Sequence, residues 1–176
     1  MPGAATRERF EQAVLPHLDA AYNLARWLTL NEQDAQDVTQ EALLRAMRFF
    51  DGYQGGNVRA WLLTIVRNTC YTWIQRTRRA DRTELFDEEI HSMAFSGGAD
   101  PETDVLAGAD RESLRRALED LPDVFREALV LREMEGMSYK EIADVTSASL
   151  GTVMSRLARA RTRLRQSLSV ELSRGY

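Results

Sequence analysis

Apolar residues recur every three or four positions over most of this chain, the period of helices that bury one stripe. Phe10, Val14, Leu18, Ala21, Leu24, Ala25 and Leu28 make the first stripe, with Pro16 placed to kink it. Ala35, Val38, Ala42, Ala46 and either Met47 or Phe49 make a second, predicting a helix from about Glu32 to Phe50. Asp51–Asn57 (DGYQGGN) then puts three glycines and an asparagine into seven residues, a loop signal. A third helix is predicted from about Val58 to Arg79, with Leu62, Ile65, Val66, Thr69 and Trp73 on its inner face.

The periodicity fades between Ala80 and Asp110, where SGGADPE (Ser96–Glu102) is rich in breakers. From Glu84 to Glu112 nine carboxylates face one base, Arg111. Structureless loops beyond ~15 residues are uncommon inside compact domains, so this stretch reads as an exposed acidic linker. Helical spacing resumes near Arg111 (Leu114, Leu118, Leu121), stops at Pro122, and runs again through Phe125, Leu129, Val130 and Leu131 to about Gly136. Ser138–Leu168 holds two further helices. The expected fold is therefore all-α: a small helical domain over residues 1–80, an acidic linker over 81–110, and a second helical domain over 111–176. No convincing strand or internal repeat is present.

Composition agrees with a soluble, folded chain of 176 residues: 44% apolar, 28% charged, with only 10 Gly and 4 Pro to interrupt helices. MPGAATRERFEQ has no apolar h-region, so no secretory signal is expected. No apolar run approaches the ~18 residues that a membrane helix needs. The single cysteine, Cys70, excludes an internal disulfide and falls on the inner side of its helix. His17 and His91 lie in no ligand-like spacing. A cytoplasmic protein without metal or cofactor is the simplest expectation, and no nucleophile–base pair or phosphate-binding glycine loop suggests an enzyme or a small-molecule substrate.

A net charge of −4 and an isoelectric point near 5.3 argue at first against nucleic acid. The charges, however, are segregated. Ser138-Tyr139-Lys140-Glu141 has the form of a capping box, opening a short helix (Tyr139–Val145) that breaks at Thr146–Ser149 before a longer helix begins near Leu150. Short helix, tight turn and longer helix make a helix-turn-helix, whose second helix enters the DNA major groove. On that helix Val153, Leu157, Ala160 and Leu164 form the buried stripe, while Thr152, Ser155, Arg156, Arg159 and Arg163 face away. Gly151–Arg165 contains five arginines and no acid, which suits a phosphate backbone.

On the predicted Val58–Arg79 helix, Thr64, Arg67, Asn68, Tyr71 and Gln75 fall opposite the core stripe, followed by Arg76, Arg78, Arg79 and Arg82. Aromatic, amide and cationic groups on one exposed face suit unpaired bases. A solvated helix face fits the same pattern. The Glu32–Phe50 helix has the opposite sign: Asp34, Asp37, Gln40 and Glu41 share a surface that cannot contact DNA but could dock a basic protein.

Together DAQDVTQEALLRAM (Asp34–Met47), RAWLLTIVRNTCYTWIQR (Arg59–Arg76) and LPDVFREALVLREMEGMSYKEIADVTSASLGTVMSRLARAR (Leu121–Arg161) resemble bacterial RNA polymerase sigma factors of the extracytoplasmic-function (ECF) group. The resemblance implies that the two helical domains are sigma regions 2 and 4. It implies that Asp34, Asp37, Gln40 and Glu41 grip the β′ clamp helices of core polymerase, and that the second domain meets the β flap. It places Asn68 at the pocket for a flipped −10 base, covered by the loop with Tyr53 and Asn57, with Arg67, Tyr71, Gln75 and Arg76 around it. It places Thr152, Met154, Ser155, Arg156, Arg159 and Arg163, with Lys140, against the −35 element. Met154 occupies a slot often basic in relatives, so contacts there should differ. An anti-sigma factor, held at the membrane, and a monomeric state away from partners are also implied, with the nucleoid as the working location.

A helix-turn-helix repressor or activator would share the C-terminal motif but usually carries a sensing or dimerisation domain. A sigma mimic that titrates an anti-sigma factor would be expected to show a degraded recognition helix and a receiver domain.

Overall fold

The computed structural model describes residues 3–82 and 110–174, and the acidic stretch expected to link the two helical parts lies almost wholly outside them. Among the described residues every regular element is helical. Helix α1 (Ala4–Val14) and α2 (Leu18–Thr29) are separated by a single 3-10 turn, Leu15–His17, at the position of Pro16. The proline breaks the predicted first helix because it lacks an N–H and its ring crowds the preceding turn.

Helix α3 (Glu32–Phe49) starts where the Asn31 side chain accepts from the Asp34 amide at 2.9 Å. A 3-10 turn, Phe50–Gly52, leads into the glycine loop, and α4 (Val58–Arg82) follows. The Asn57 side-chain oxygen takes the Ala60 amide at 3.0 Å and so caps α4. Phe10, Val14, Leu24, Val38, Leu62 and Val66 fill the core of this half. Of the two alternatives for the end of the α3 stripe, Met47 is the one packed against the core. Phe50 is the buried aromatic, against Phe10 (5.4 Å, edge-on), whereas Phe49 is 59% exposed. Leu63, unassigned by the periodicity, is fully buried.

The second half comprises α5 (Arg111–Glu119), α6 (Asp123–Leu129), α7 (Tyr139–Thr146) and α8 (Leu150–Arg174). Asp110 caps α5 through the Ser113 amide at 2.7 Å. Beyond α6 the backbone widens into a π turn, Val130–Met134, which ends at Gly136 in the left-handed region (φ 63°). Ser138 and Glu141 form the reciprocal capping box that the sequence predicts. The turn into α8 places Ser147 at φ 52°, a left-handed conformation usually left to glycine. Val153, Leu157, Ala160, Leu164 and Leu168 bury the stripe of α8, and Met137 is fully buried beneath the helix-turn-helix.

The halves pack directly on one another: α4 lies along α7, and α2 lies against α6. This contact decides which of the predicted functional residues face solvent.

Candidate nucleic-acid interface

The face of α4 opposite its core stripe is not free, contrary to the helical-wheel expectation for Arg67 and Tyr71. Glu127 of α6 inserts there with its side chain 1% exposed. The Nε of Arg67 donates to one carboxylate oxygen at 2.5 Å, and the Tyr71 hydroxyl donates to the other at 3.1 Å. The Arg67 guanidinium also lies over the Tyr71 ring, 4.5 Å from its centroid. Burial pushes the Glu127 carboxyl above its usual range, against the opposing pull of the bonds from Arg67 and Tyr71. Burial, and then the Glu127 charge, raises the Tyr71 hydroxyl in the same way. The same two causes lift the Cys70 thiol to about 12, which fits a core residue rather than a reactive thiol.

Further polar contacts continue this seam. Arg126, 1% exposed, donates to the Trp27 carbonyl of α2 at 2.6 Å and to Leu121 O, Glu119 O and Asp123 in its own half. Arg59 donates to the Glu135 carbonyl at 2.8 Å, and Asn23 to the Glu135 carboxylate at 3.0 Å. Asn57 donates to Glu141 at 2.8 Å, so Glu141 serves the capping box and the seam together. Arg78 reaches Asp123 at 2.7 Å. The first half supplies Arg59, Arg67 and Arg78, and the second supplies Asp123, Glu127, Glu135 and Glu141. Two opposite-charge pairs therefore cross the seam, Arg67–Glu127 and Arg78–Asp123.

Of the residues expected at a −10 strand, Asn68, Gln75 and Arg76 remain exposed, whereas Arg67, Tyr71 and Asn57 bond across the seam. Tyr53 is half-buried, its ring 5.1 Å from Trp61 and its hydroxyl donating to Gly56 O at 2.6 Å, so it holds the glycine loop in shape. Gly55 and Gly56 both adopt positive φ (90° and 98°), which side-chain-bearing residues rarely tolerate.

On α8, Met154, Ser155, Arg159 and Arg163 are exposed, as is Lys140 on α7. Thr152 and Arg156 are half-buried, not fully outward as the wheel reading has them. Thr152 is drawn in by the cap residue Ser149 (2.9 Å between hydroxyls). Arg163 lies over the Phe125 ring at 5.2 Å, and Arg161 pairs with Glu133 at 3.0 Å, so part of the arginine run stabilises the fold.

The acidic face of α3 is open. Asp37 and Gln40 are exposed, Asp34 and Glu41 are half-buried, and Glu41 binds Arg45 one turn on at 2.6 Å. Leu44, one turn beyond Gln40, is 63% exposed and extends the same surface with an apolar group. The hydrophobic spacing assigned Leu44 no role, although a leucine off the buried stripe was the available signal. Arg126 and Glu127 were missed for another reason. Charged side chains are ordinarily assigned to solvent, and the apolar spacing of α6 gave no reason to bury these two. Packing on both faces buries them.

Residues 13–80 match the family Sigma-70 region 2, and residues 111–164 match Sigma-70, region 4. The ECF RNA polymerase sigma-E factor of Escherichia coli is 36% identical over 135 residues, covering 73% of this chain and 70% of that protein. The chain belongs to the ECF sigma factors of the sigma-70 family. ECF RNA polymerase sigma factor SigE of Mycolicibacterium smegmatis is 37% identical over 168 residues, 94% of this chain; this sigma factor spans 63% of that relative's length. Among solved structures, the sigma factor RpoE of Bartonella quintana, in complex with the anti-sigma factor NepR, superimposes with a TM-score of 0.74 at 30% identity, over 93% of this chain and 98% of that one. Among the described residues no helix of this sigma factor is long and apolar enough to cross a membrane, and no group of three or more His, Cys, Asp or Glu could hold a metal ion.

Proposed function

We propose that this sigma factor docks on core RNA polymerase through the acidic face of α3 and directs initiation by reading two promoter elements. The observation that carries this reading is the placement of opposite chemistries on separate exposed faces: Asp37, Gln40 and Leu44 on α3, and Ser155 and Arg159 on α8. Asp34 and Glu41 complete the polymerase face, and the second half meets the β flap. Lys140, Thr152, Met154, Ser155, Arg156, Arg159 and Arg163 face the −35 duplex, where arginine can bond two acceptors on a guanine edge at once. Asn68 receives an extruded −10 base, with Arg67, Tyr71, Gln75 and Arg76 along the melted strand and Tyr53 and Asn57 holding the covering loop. Unstacking a base costs a few kcal/mol, repaid by pocket and phosphate contacts. The mechanism is positional: polymerase does the chemistry.

Residues 1–80 are the polymerase and −10 unit, 81–110 an acidic connection threading near the polymerase channel, and 111–176 the −35 unit. The Bartonella relative's complex with an anti-sigma factor supports a partner of that class here. The reading places the protein in the cytoplasm, on the nucleoid when bound to polymerase. Transcription in vitro with purified core polymerase on a promoter library tests it. Initiation at a subset of sequences, only when the chain is added, is the expected result, and no chain-dependent initiation at any sequence overturns it.

A further inference from the structure

In the closed arrangement Glu127 presents two oxygens of one anionic group to Arg67 and Tyr71, one to each donor. The non-bridging oxygens of a phosphodiester offer the same pair of acceptors with the same single negative charge. The donors are held ready for an anion. Arg67 is stacked on the Tyr71 ring at 4.5 Å, and its Nη1 reaches the Asn68 side-chain oxygen at 3.4 Å, so cation, phenol and base-pocket amide form one cluster. Arg126, next to Glu127 in sequence, is satisfied by four other acceptors and leaves Glu127 to α4.

We propose that Glu127 occupies, in the closed chain, the place that a backbone phosphate of single-stranded promoter DNA takes in the open one. Arg67 and Tyr71 are then a phosphate site that the second half of the protein blocks. This rests on the reading of α4 as the −10 element. Region 4 and the melted strand compete for the same two donors, while Asp37 and Gln40 of α3 and Ser155 and Arg159 of α8 are exposed in the closed chain. The free chain is thus restrained at the step that captures a melted strand, but not at polymerase docking or −35 reading. A site available only in the open fraction of molecules has its affinity reduced by that fraction.

The test uses the full chain, a fluorescein-labelled single-stranded DNA of mixed sequence, and small-angle scattering for the separation of the halves. Glu127→Gln should enlarge the radius of gyration and tighten strand binding about 10-fold. Arg67→Ala should also enlarge it but bind the strand no better than wild type, and adding it to Glu127→Gln should erase the gain. An independent arm joins the halves: Asn23→Cys and Glu135→Cys, whose parent side chains meet at 3.0 Å, bridged by a short bis-maleimide. The bridged chain should lose strand binding relative to the same chain unbridged. Three results overturn the proposal: Glu127→Gln that opens without gaining affinity, a gain that survives loss of Arg67, or a bridged chain that binds as well as the unbridged one. If Glu127→Gln does not fold, the bridged chain alone decides. Core-dependent transcription by the wild-type chain is run alongside. Its absence defeats the sigma reading, whereas initiation together with any of the three results defeats only the blocked phosphate site.

Discussion

The guanidinium of Arg126 donates to the backbone carbonyl of Trp27 at 2.6 Å, tying α6 to the C-terminal turn of α2 across 99 residues of sequence. The adjacent residue, Glu127, makes the neighbouring tie to α4. Two consecutive charged residues thus join the two halves, one through backbone and one through side chains.

Replacement of Arg126 by Ala strips a buried cation from three carbonyls and from Asp123. Buried acceptors left without a donor cost more than the net value of the bonds lost, so the expected destabilisation is about 3 kcal/mol. Urea unfolding followed by circular dichroism measures it, and a loss below about 1 kcal/mol would show that water replaces the guanidinium.

Ser147 holds an exposed, left-handed backbone at the helix-turn-helix corner. Ser147→Gly removes the steric cost of that conformation, at roughly 1–2 kcal/mol for a residue with a Cβ, less the added entropy of glycine in the unfolded chain. The net expectation is a small rise in melting temperature with −35 binding unchanged. A fall would mean that the serine stabilises the turn by other means.

The α5 helix carries an exposed ion-pair cluster whose titration bears on stability at low pH. Hydrogen bonds from Arg115, with Arg116 beside it, hold the exposed Glu112 carboxyl down to about 2, from an ordinary 4.5. A depressed folded-state pKa gives stability that is complete above the unfolded value and fades as pH falls through the folded one. Melting temperature should therefore decline from about pH 4.5 towards 2, and Glu112→Gln should flatten part of that decline. An unchanged pH profile in the variant would show that these pairs add nothing in solution.

On the proposed −35 face of α8, substitutions at Arg159 and Met154 test base reading and phosphate attraction separately. Arg159→Ala should weaken binding by about 1–3 kcal/mol and relax preference at one base pair. Met154→Arg adds an exposed cation and should strengthen binding to every promoter alike, steepening the salt dependence by about one phosphate contact. Competition binding across a promoter library at two salt concentrations distinguishes them. A uniform loss for Arg159→Ala would make that residue a backbone contact.

Helices α3 and α8 were legible because each buries a single stripe: Ala35, Val38, Ala42 and Ala46 in α3, and Val153, Leu157, Ala160 and Leu164 in α8, are buried as their spacing requires. Pro16, Asn57 and the Ser138–Glu141 box mark their breaks and starts because their chemistry is local. The spacing offered Met47 or Phe49 as the last inward residue of α3 and assigned Phe50 no role, since the 3-10 turn that begins at Phe50 leaves the α-helical period.

By itself, the sequence determined the all-helical architecture, the capping and turn chemistry, and the segregation of acidic and basic faces, all of which depend on residues a few positions apart. Only the tertiary structure decided that Arg67 and Tyr71 face Glu127 rather than solvent, and that Arg126 is buried. Those contacts join residues 56 or more positions apart, and a helical wheel records which way a side chain points but not what lies there.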